Sequence, residues 1–191
     1  MTPEPQDHLL TEARALAALA SPVRSRILDA LRVDGPSTAS MLADRLDQAV
    51  GSISHHLKVL AEANLVEEAP ELARDRRERW WRRAGRRTRW SRDQMSDPDA
   101  VDAALAAENL QLARQFERAQ SRQDHPTTPG SWEHDTSFAI QSWFRMTDDE
   151  LATFGEELIA LFERWAGREI PDDGRQREPV LVFARGFPAE P

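Results

Sequence analysis

Three amphipathic helical segments follow one another closely in the first third of the chain, and this order constrains the fold most. Ser21-Pro22 predicts the start of the first, because serine can cap a helix and proline fits its first position. Gly35-Pro36 predicts its end. Apolar spacing predicts a second helix over about 38–46, with Met41, Leu42 and Leu46 facing inward, and a third over about 50–63. Three short helices with tight connections are typical of a helix-turn-helix fold.

A β-hairpin is predicted directly after the third of these helices. Leu65 to Glu68 and Arg76 to Arg83 are short segments that favour extended structure, and a polar loop from Pro70 to Asp75 joins them. Trp80 and Trp81 are expected on opposite faces of the second strand, because successive side chains alternate along a strand. A hairpin in this position is the wing of a winged helix.

Two further helices are predicted around this region. Residues 7–20 have apolar side chains at helical spacing, and residues 99–122 form a long helix with Leu105, Leu112 and Phe116 on one side. Both helices have more apolar surface than a three-helix core can cover. We therefore expect them to pair across a two-fold axis in a homodimer.

A small α+β module is predicted after a Pro- and Gly-containing break at 125–130. Alternating apolar residues predict a strand over 137–146 and a closing strand over 179–185. Between them, Thr147 to Glu150 form the pattern of a capping box, and a regular apolar helix face follows. Gly167 is expected to end this helix.

The charge of the chain is distributed unevenly. The net charge is −8, yet residues 1–92 contain 16 Lys and Arg against 13 Asp and Glu, whereas residues 93–191 contain 9 against 20. Ten arginines lie between Arg74 and Arg92 with only two acids, a net charge of +8. A local excess of arginine beside a helix-turn-helix pattern predicts contact with a polyanion.

The third helix of the pattern has the features of a DNA-recognition helix. The inward arc of this helix is predicted to contain Val50, Ile53, Leu57, Leu60 and Asn64. His56 on the same side is expected to be a hydrogen-bonded core histidine. The opposite face is small and polar at its start, so it could enter the major groove, and a lysine further on could reach a phosphate. The hairpin arginines could bind the DNA backbone or the minor groove. This reasoning predicts DNA contacts by Gly51, Ser52, Ser54, His55, Lys58, Arg74, Arg76, Arg77 and Arg79.

Two stretches of the chain, LASPVRSRIL from Leu19 and SISHHLKVLAEANLV from Ser52, resemble the ArsR-type winged-helix repressors. The resemblance covers about residues 8–90. Asn64 stands where the family usually has glycine, and asparagine also tolerates a left-handed backbone. The resemblance implies a homodimeric, sequence-specific transcriptional regulator. It also implies that Gln48, Ser52, Ser54 and His55 lie at positions that contact DNA.

Metal and enzyme chemistry have little support in the sequence. The chain has no cysteine, so the cysteine pair of the family's metal sensors is missing, and residues 98–122 contain no histidine. The group His125, Glu133, His134 and Asp135 is interpreted as solvated linker residues. We predict no metal and no cofactor, and no catalytic motif is present. Without a secretory signal or an apolar span, a cytoplasmic protein without membrane contact is expected.

The predicted fold is mainly α with a β-hairpin wing. The predicted parts are a winged helix-turn-helix domain over 1–90, a dimerisation helix over 98–122 and the small α+β module over 132–191. The predicted function is that of a transcriptional regulator, a repressor by resemblance, which binds double-stranded DNA as a homodimer at an inverted repeat. A small-molecule effector or a partner protein could act at the C-terminal module. The alternative is a protein–protein adaptor that has a winged helix but does not bind DNA.

Overall fold

The computed structural model describes residues 13–75, 78–85, 97–124, 132 and 134–190, together with the backbone of 8–9 and 88–89. It divides the chain into two units, Met1–Gln120 and Ser121–Pro191. In chain order the elements are β1 (His8–Leu9), α1 (Ala13–Leu19), α2 (Pro22–Val33), β2 (Ser37–Thr38), α3 (Ala39–Leu46), α4 (Val50–Glu62), β3 (Val66–Glu68), β4 (Trp80–Arg83), β5 (Thr88–Arg89), α5 (Pro98–Asp124) and α6 (Asp148–Ala166).

Helices α2, α3 and α4 form the predicted helix-turn-helix around a common apolar core. Their apolar residues recur at helical spacing, and Leu42, Ile53, Leu57 and Leu60 are fully buried. Pro22 occupies the start of α2 as expected. Thr38 caps α3, because its Oγ1 accepts a hydrogen bond from the Met41 N–H at 3.3 Å. The three predicted helices are confirmed with nearly the predicted bounds.

Left-handed residues end α3 and follow α4, where the chain must turn sharply. Asp47 has φ 53° at the end of α3, and Asn64 has φ 54° just after α4. Asparagine and aspartate tolerate this backbone region better than most other residues. The expectation that Asn64 can replace the usual glycine there is confirmed.

Two apolar residues that were predicted to face inward are exposed. Met41 was expected in the core of α3, and Val50 on the inward arc of α4, but both side chains are exposed. In α3 the inward face consists of Leu42, Ala43 and Leu46, which leaves Met41 on the outer side. Val50 is the first residue of α4 and lies beyond the edge of the core that Ile53 begins. These two predictions are wrong.

The hairpin is part of a three-stranded antiparallel sheet with the order β2-β4-β3. Val66 pairs with Arg83 and Glu68 with Trp81, which confirms the predicted hairpin, although its second strand begins at Trp80. Strand β2 pairs Thr38 with Trp80 on the other edge of β4. The sequence did not predict β2, because two residues are too few to show a period of two. Strands β1 and β5 pair in parallel as a separate two-stranded ribbon.

Helix α5 packs on the first unit through alanines. Ala100 and Ala104 belong to the buried core, and Ala107 is also buried. Two arginines hold the helix to α2: Arg114 and Arg118 each donate through Nη2 to Asp29 Oδ2, at 2.6 and 2.8 Å. The larger apolar side chains of α5 are left outside, and Phe116 is 68% exposed. The predicted long helix with an uncovered apolar side is therefore present.

In the second unit the predicted helix is confirmed and the predicted strands are wrong. Thr147 and Glu150 form the capping box of α6, each side chain accepting a hydrogen bond from the other residue's N–H, and Gly167 follows the last turn. Residues 137–146 and 179–185, however, are irregular and pair with no described strand. Alternating apolar residues indicate an extended segment, but a strand also needs a hydrogen-bonded neighbour. Neither segment has one in the described part of the chain.

The described residues contain no helix that could span a membrane. None of the helices there is both long enough and apolar enough to cross a bilayer.

Candidate nucleic-acid interface

Helix α4 is fixed by one face, and its opposite face is exposed. Ile53, Leu57 and Leu60 are fully buried, which sets the rotation of the helix about its axis. This rotation leaves the predicted contact residues Gly51, Ser54, His55 and Lys58 exposed, and Ser52 half-buried. The structure therefore brings the α4 residues of the predicted site together on one exposed surface, which we call the α4 outer face.

No atom in the described part of the chain requires a glycine at position 51. A β-carbon built at Gly51 would meet no atom within 4 Å. Glycine inside a helix costs about 1 kcal/mol relative to alanine. Internal packing does not demand glycine here, so the open space in front of Gly51 is available to another molecule.

The turn before α4 is held from both sides. The Gln48 N–H donates to the Ala43 carbonyl at 3.0 Å, and the Arg26 Nη2 donates to the Leu46 carbonyl at 2.9 Å. Gln48 is exposed, and its Nε2 donates to the Asp47 carbonyl at 2.7 Å. The backbone that positions Gln48 is thus fixed, while its side chain is accessible at the start of the α4 outer face.

The cations of the predicted site differ in how far acids neutralise them. Lys58 and Arg74 are exposed, and neither side chain forms an ion pair with the residues that the structure describes. Arg79 lies 3.7 Å from Glu68. Arg76 and Arg77 are outside the described residues. Among the described cations of the predicted site, Lys58 and Arg74 therefore have the least competition from neighbouring carboxylates.

The remaining described wing arginines serve the sheet. Arg82 donates to Glu67 at 2.7 Å and also pairs with Glu71, and the hydrogen bond to Glu67 is the largest cause of its raised pKa. Arg83 is partly buried, and burial, with Arg32 nearby, lowers its pKa to about 10. Because these arginines are paired or partly buried, fewer positive charges of the wing are available to a ligand than its number of arginines indicates.

His56 does not have the predicted hydrogen-bonded core position. It is half-buried, its ring centroid lies 5.5 Å from that of His55, and its Nδ1 has no hydrogen-bond partner among the described residues. Burial, then Arg24 and His55, lowers its pKa. Both arginine and a second imidazolium would repel a proton on His56, so the fold favours the neutral ring.

This lowered pKa predicts acid sensitivity of the fold. Because the folded pKa of His56 lies below the unfolded value of about 6.5, its contribution is complete above that value and is lost as the pH falls. We expect His56→Gln to reduce the loss of unfolding free energy between about pH 7 and pH 5, measured by urea titration. His55→Gln is the matched control. If both variants change the pH dependence of the unfolding free energy equally, the lowered pKa of His56 is not its cause.

One exposed residue of the candidate interface was missed by the sequence reasoning. Val50 was assigned to the core, but it is exposed beside Gly51 at the first turn of α4. Its position as the first residue of α4 could have indicated its exposure, because the first turn of a helix often extends beyond the core that packs against the middle of the helix. An exposed valine there adds an apolar group to the α4 outer face.

Of the residues considered for a metal site, Asp135 has other partners and His134 is exposed. Asp135 accepts hydrogen bonds from the Ser137 hydroxyl at 2.6 Å and from Arg122 at 2.7 Å, and its pKa is lowered mainly by Ser137. No group of three metal-ligating side chains occurs among the described residues. His125 and Glu133 lie outside them, and His134 is exposed.

Comparison with protein families identifies the part of the chain that contains this surface. Residues 19–69 match a family model described as a helix-turn-helix domain. This span contains α2, α3, α4 and β3. Residues 19–69 are a helix-turn-helix domain. The wing strand β4 and the long helix α5 follow this domain along the chain.

Solved structures with similarity to the chain include several regulators. One is the homodimeric winged helix-turn-helix DNA-binding domain of a possible ArsR-family transcriptional regulator from Mycobacterium bovis, at 25% identity, covering 59% of this chain and 77% of that one, with a TM-score of 0.33. Another is a MarR family regulator from Neisseria meningitidis, at 16% identity, covering 76% and 75%, with a TM-score of 0.34. No protein with a curated description matches the chain.

Proposed function

We propose that the chain is a sequence-specific DNA-binding transcriptional regulator of the ArsR type that acts from the cytoplasm and not as an enzyme. Its helix-turn-helix domain supports DNA binding in general. The observation that carries the proposal is the α4 outer face: buried Ile53, Leu57 and Leu60 fix the helix, and the small residues Gly51 and Ser54 face outward. Such a helix can bring its first turns close to base edges.

The α4 outer face supplies the chemistry that each kind of DNA contact needs. Gln48, Ser52, Ser54 and His55 have donors and acceptors for base edges. Lys58 has a charge for a phosphate one turn further along. The wing residues Arg74, Arg76, Arg77 and Arg79 would bind the backbone or the minor groove beside this helix.

Homodimerisation is proposed through α5. The predicted uncovered apolar face is wrong for α1, because its residues Ala15, Leu16 and Ala18 are buried within the chain. The exposed apolar residues Leu105, Leu112 and Phe116 follow one another at intervals of seven and four, so they form one stripe along α5. Two such stripes related by a two-fold axis would cover each other. The paired recognition helices would then enter successive major grooves, about 34–36 Å apart, on an inverted repeat.

Repression and effector control are the finer parts of the proposal. A regulator bound at an inverted repeat near a promoter would block transcription by occupancy. Residues 132–191 exceed what DNA binding requires, so an effector or a partner protein bound there could change the spacing of the two recognition helices.

Selection from a library of randomised duplex DNA at about 150 mM salt tests the proposal. We expect enrichment of an inverted repeat, since each subunit would contribute one recognition helix. Enrichment of a single half-site would contradict the proposed dimer. Failure to enrich any sequence would favour the alternative, an adaptor that binds proteins through its winged helix.

Lys58 is expected to act through a phosphate and not through a base. Lys58→Ala should weaken binding to all DNA sequences to a similar extent and reduce the slope of log K against log salt by about one. Fluorescence anisotropy with labelled duplexes at several salt concentrations gives both values.

The control for Lys58→Ala is Arg164→Ala, which removes an exposed positive charge from α6. We expect its salt slope to equal that of the parent protein. If Lys58→Ala also has the parental slope, Lys58 does not contact a phosphate.

A further inference from the structure

The second unit has no buried core of its own in the described residues. From 134 to 190 every described residue is exposed or half-buried. Large apolar side chains are among the most exposed, with Phe138 at 70% and Ile140 at 83%. A module with this much uncovered apolar surface needs a partner, because burial of such surface is the main source of folding free energy.

Two segments without turns or bends contact α6 near its start. Phe144 belongs to the upstream segment (137–146), and its ring centroid lies 5.9 Å from that of Phe154. Gly186 belongs to the downstream segment (179–187), and a β-carbon there would lie 3.2 Å from Leu151 Cδ1. Leu151 and Phe154 are neighbours on one side of the helix. The carboxyl ends of both segments therefore meet the same end of α6.

Neither segment is part of a sheet. In the described part of the chain no backbone hydrogen bond joins them to each other or to another strand. Their backbone groups and alternating apolar side chains match the edge of a β-sheet, which favours pairing with another extended strand. These features favour a strand as the partner.

The charges at the segment ends select the direction of pairing. Direct pairing of the two segments of one chain would be parallel, as in a strand-helix-strand unit, and would place Arg145 near Arg185. Antiparallel pairing would instead place Arg145 near Glu178. A two-fold axis supplies strands of the opposite direction, so a second copy of the same chain offers the antiparallel partner.

We propose that the second unit forms a β-sheet with the second unit of another copy of this chain, in which the upstream segment of each copy pairs antiparallel with the downstream segment of the other. The inference rests on the homodimer of the proposed function and adds an interface to it. The apolar side chains of the segments would be covered between the two α6 helices and the shared sheet. The shared sheet would connect the two subunits independently of α5.

A charge-exchange experiment tests this pairing in the full chain. One variant has Arg145→Glu and the other has Glu178→Arg. Each homodimer would place like charges together at both contacts, whereas the mixed dimer restores an opposite pair at both. After co-expression, we expect native mass spectrometry to show the mixed dimer about tenfold more abundant than either homodimer, against twofold for random pairing.

Random pairing of the two variants would overturn the shared sheet and leave the α5 dimer intact. A monomeric parent protein would instead overturn the dimer of the proposed function, so the two failures can be distinguished. As a control, Arg164→Glu with Glu190→Arg changes the same types of charge outside both segments. This pair should assemble at random.

Disulfide formation provides a second test, because the chain contains no cysteine. One chain has Gln141→Cys and the other has Val182→Cys, the residue opposite position 141 when Arg145 pairs with Glu178, so no disulfide can form within a chain. Under mild oxidation we expect cross-linked dimers of the two different chains to predominate. Cross-links only between identical chains, or no cross-link at all, would contradict the proposed pairing.

Discussion

Gly51→Glu is expected to abolish specific DNA binding while the protein stays folded. The built β-carbon at Gly51 has no neighbour within 4 Å, so the described fold has room for the new side chain. Removing a helical glycine can stabilise a fold by up to about 1 kcal/mol, and a carboxylate in the first helical turn is favourable. The same carboxylate would face phosphates and base edges, and we expect about a 100-fold or greater loss of operator affinity.

Two control variants separate the effect of a carboxylate at position 51 from the effects of added charge elsewhere and of added side-chain volume. Ala152→Glu adds the same charge at an exposed position of α6 and should leave DNA affinity unchanged. Gly51→Ala adds only a methyl group, so it should raise the melting temperature with a smaller loss of affinity than Gly51→Glu. If Gly51→Glu keeps parental affinity, α4 does not enter the groove with its first turn.

Phe116→Glu is expected to weaken the dimer strongly and with it the operator complex. Phe116 is the most exposed of the large apolar residues of α5, at 68%, and the proposed contact would bury it. Two charges placed across a two-fold axis would repel each other in an apolar interface. We expect the dissociation constant of the dimer to rise about 100-fold or more, measured by analytical ultracentrifugation.

The matched control for the dimer is Gln111→Glu, which adds the same charge at an exposed position on another side of α5. It should leave the dimer and the operator affinity close to those of the parent. A dimer of parental strength in Phe116→Glu would place the subunit contact away from the apolar stripe of α5.

The helix-turn-helix could be predicted because its core depends on contacts within one chain. The apolar spacing of Ile53, Leu57 and Leu60 alone determined which side of α4 is buried, and the opposite side followed. The error at Val50 lies in the first turn of α4, before the core that Ile53 begins, whereas Met41 lies on the outer side of α3.

The second unit was harder to predict because a strand depends on a neighbour. The alternation of apolar and other residues in 137–146 and 179–185 indicated extended segments with apolar side chains. It contains no information about which chain would supply the backbone hydrogen bonds of a paired strand. The capping box at Thr147 depends on four consecutive residues, and it was predicted and confirmed. Likewise, the acidic residues that form ion pairs with Arg79 and Arg82 could be identified only from the register in which β3 pairs with β4.

The most direct test of the central claim is the dependence of DNA affinity on half-site spacing. The enriched operator is compared with the same half-sites separated by five additional base pairs, which rotates one half-site by about half a helical turn. If two α4 helices of one rigid dimer bind successive major grooves, affinity for the longer site should fall about 100-fold, toward that of random DNA. Equal affinity for both sites would contradict binding by a two-fold dimer through α4.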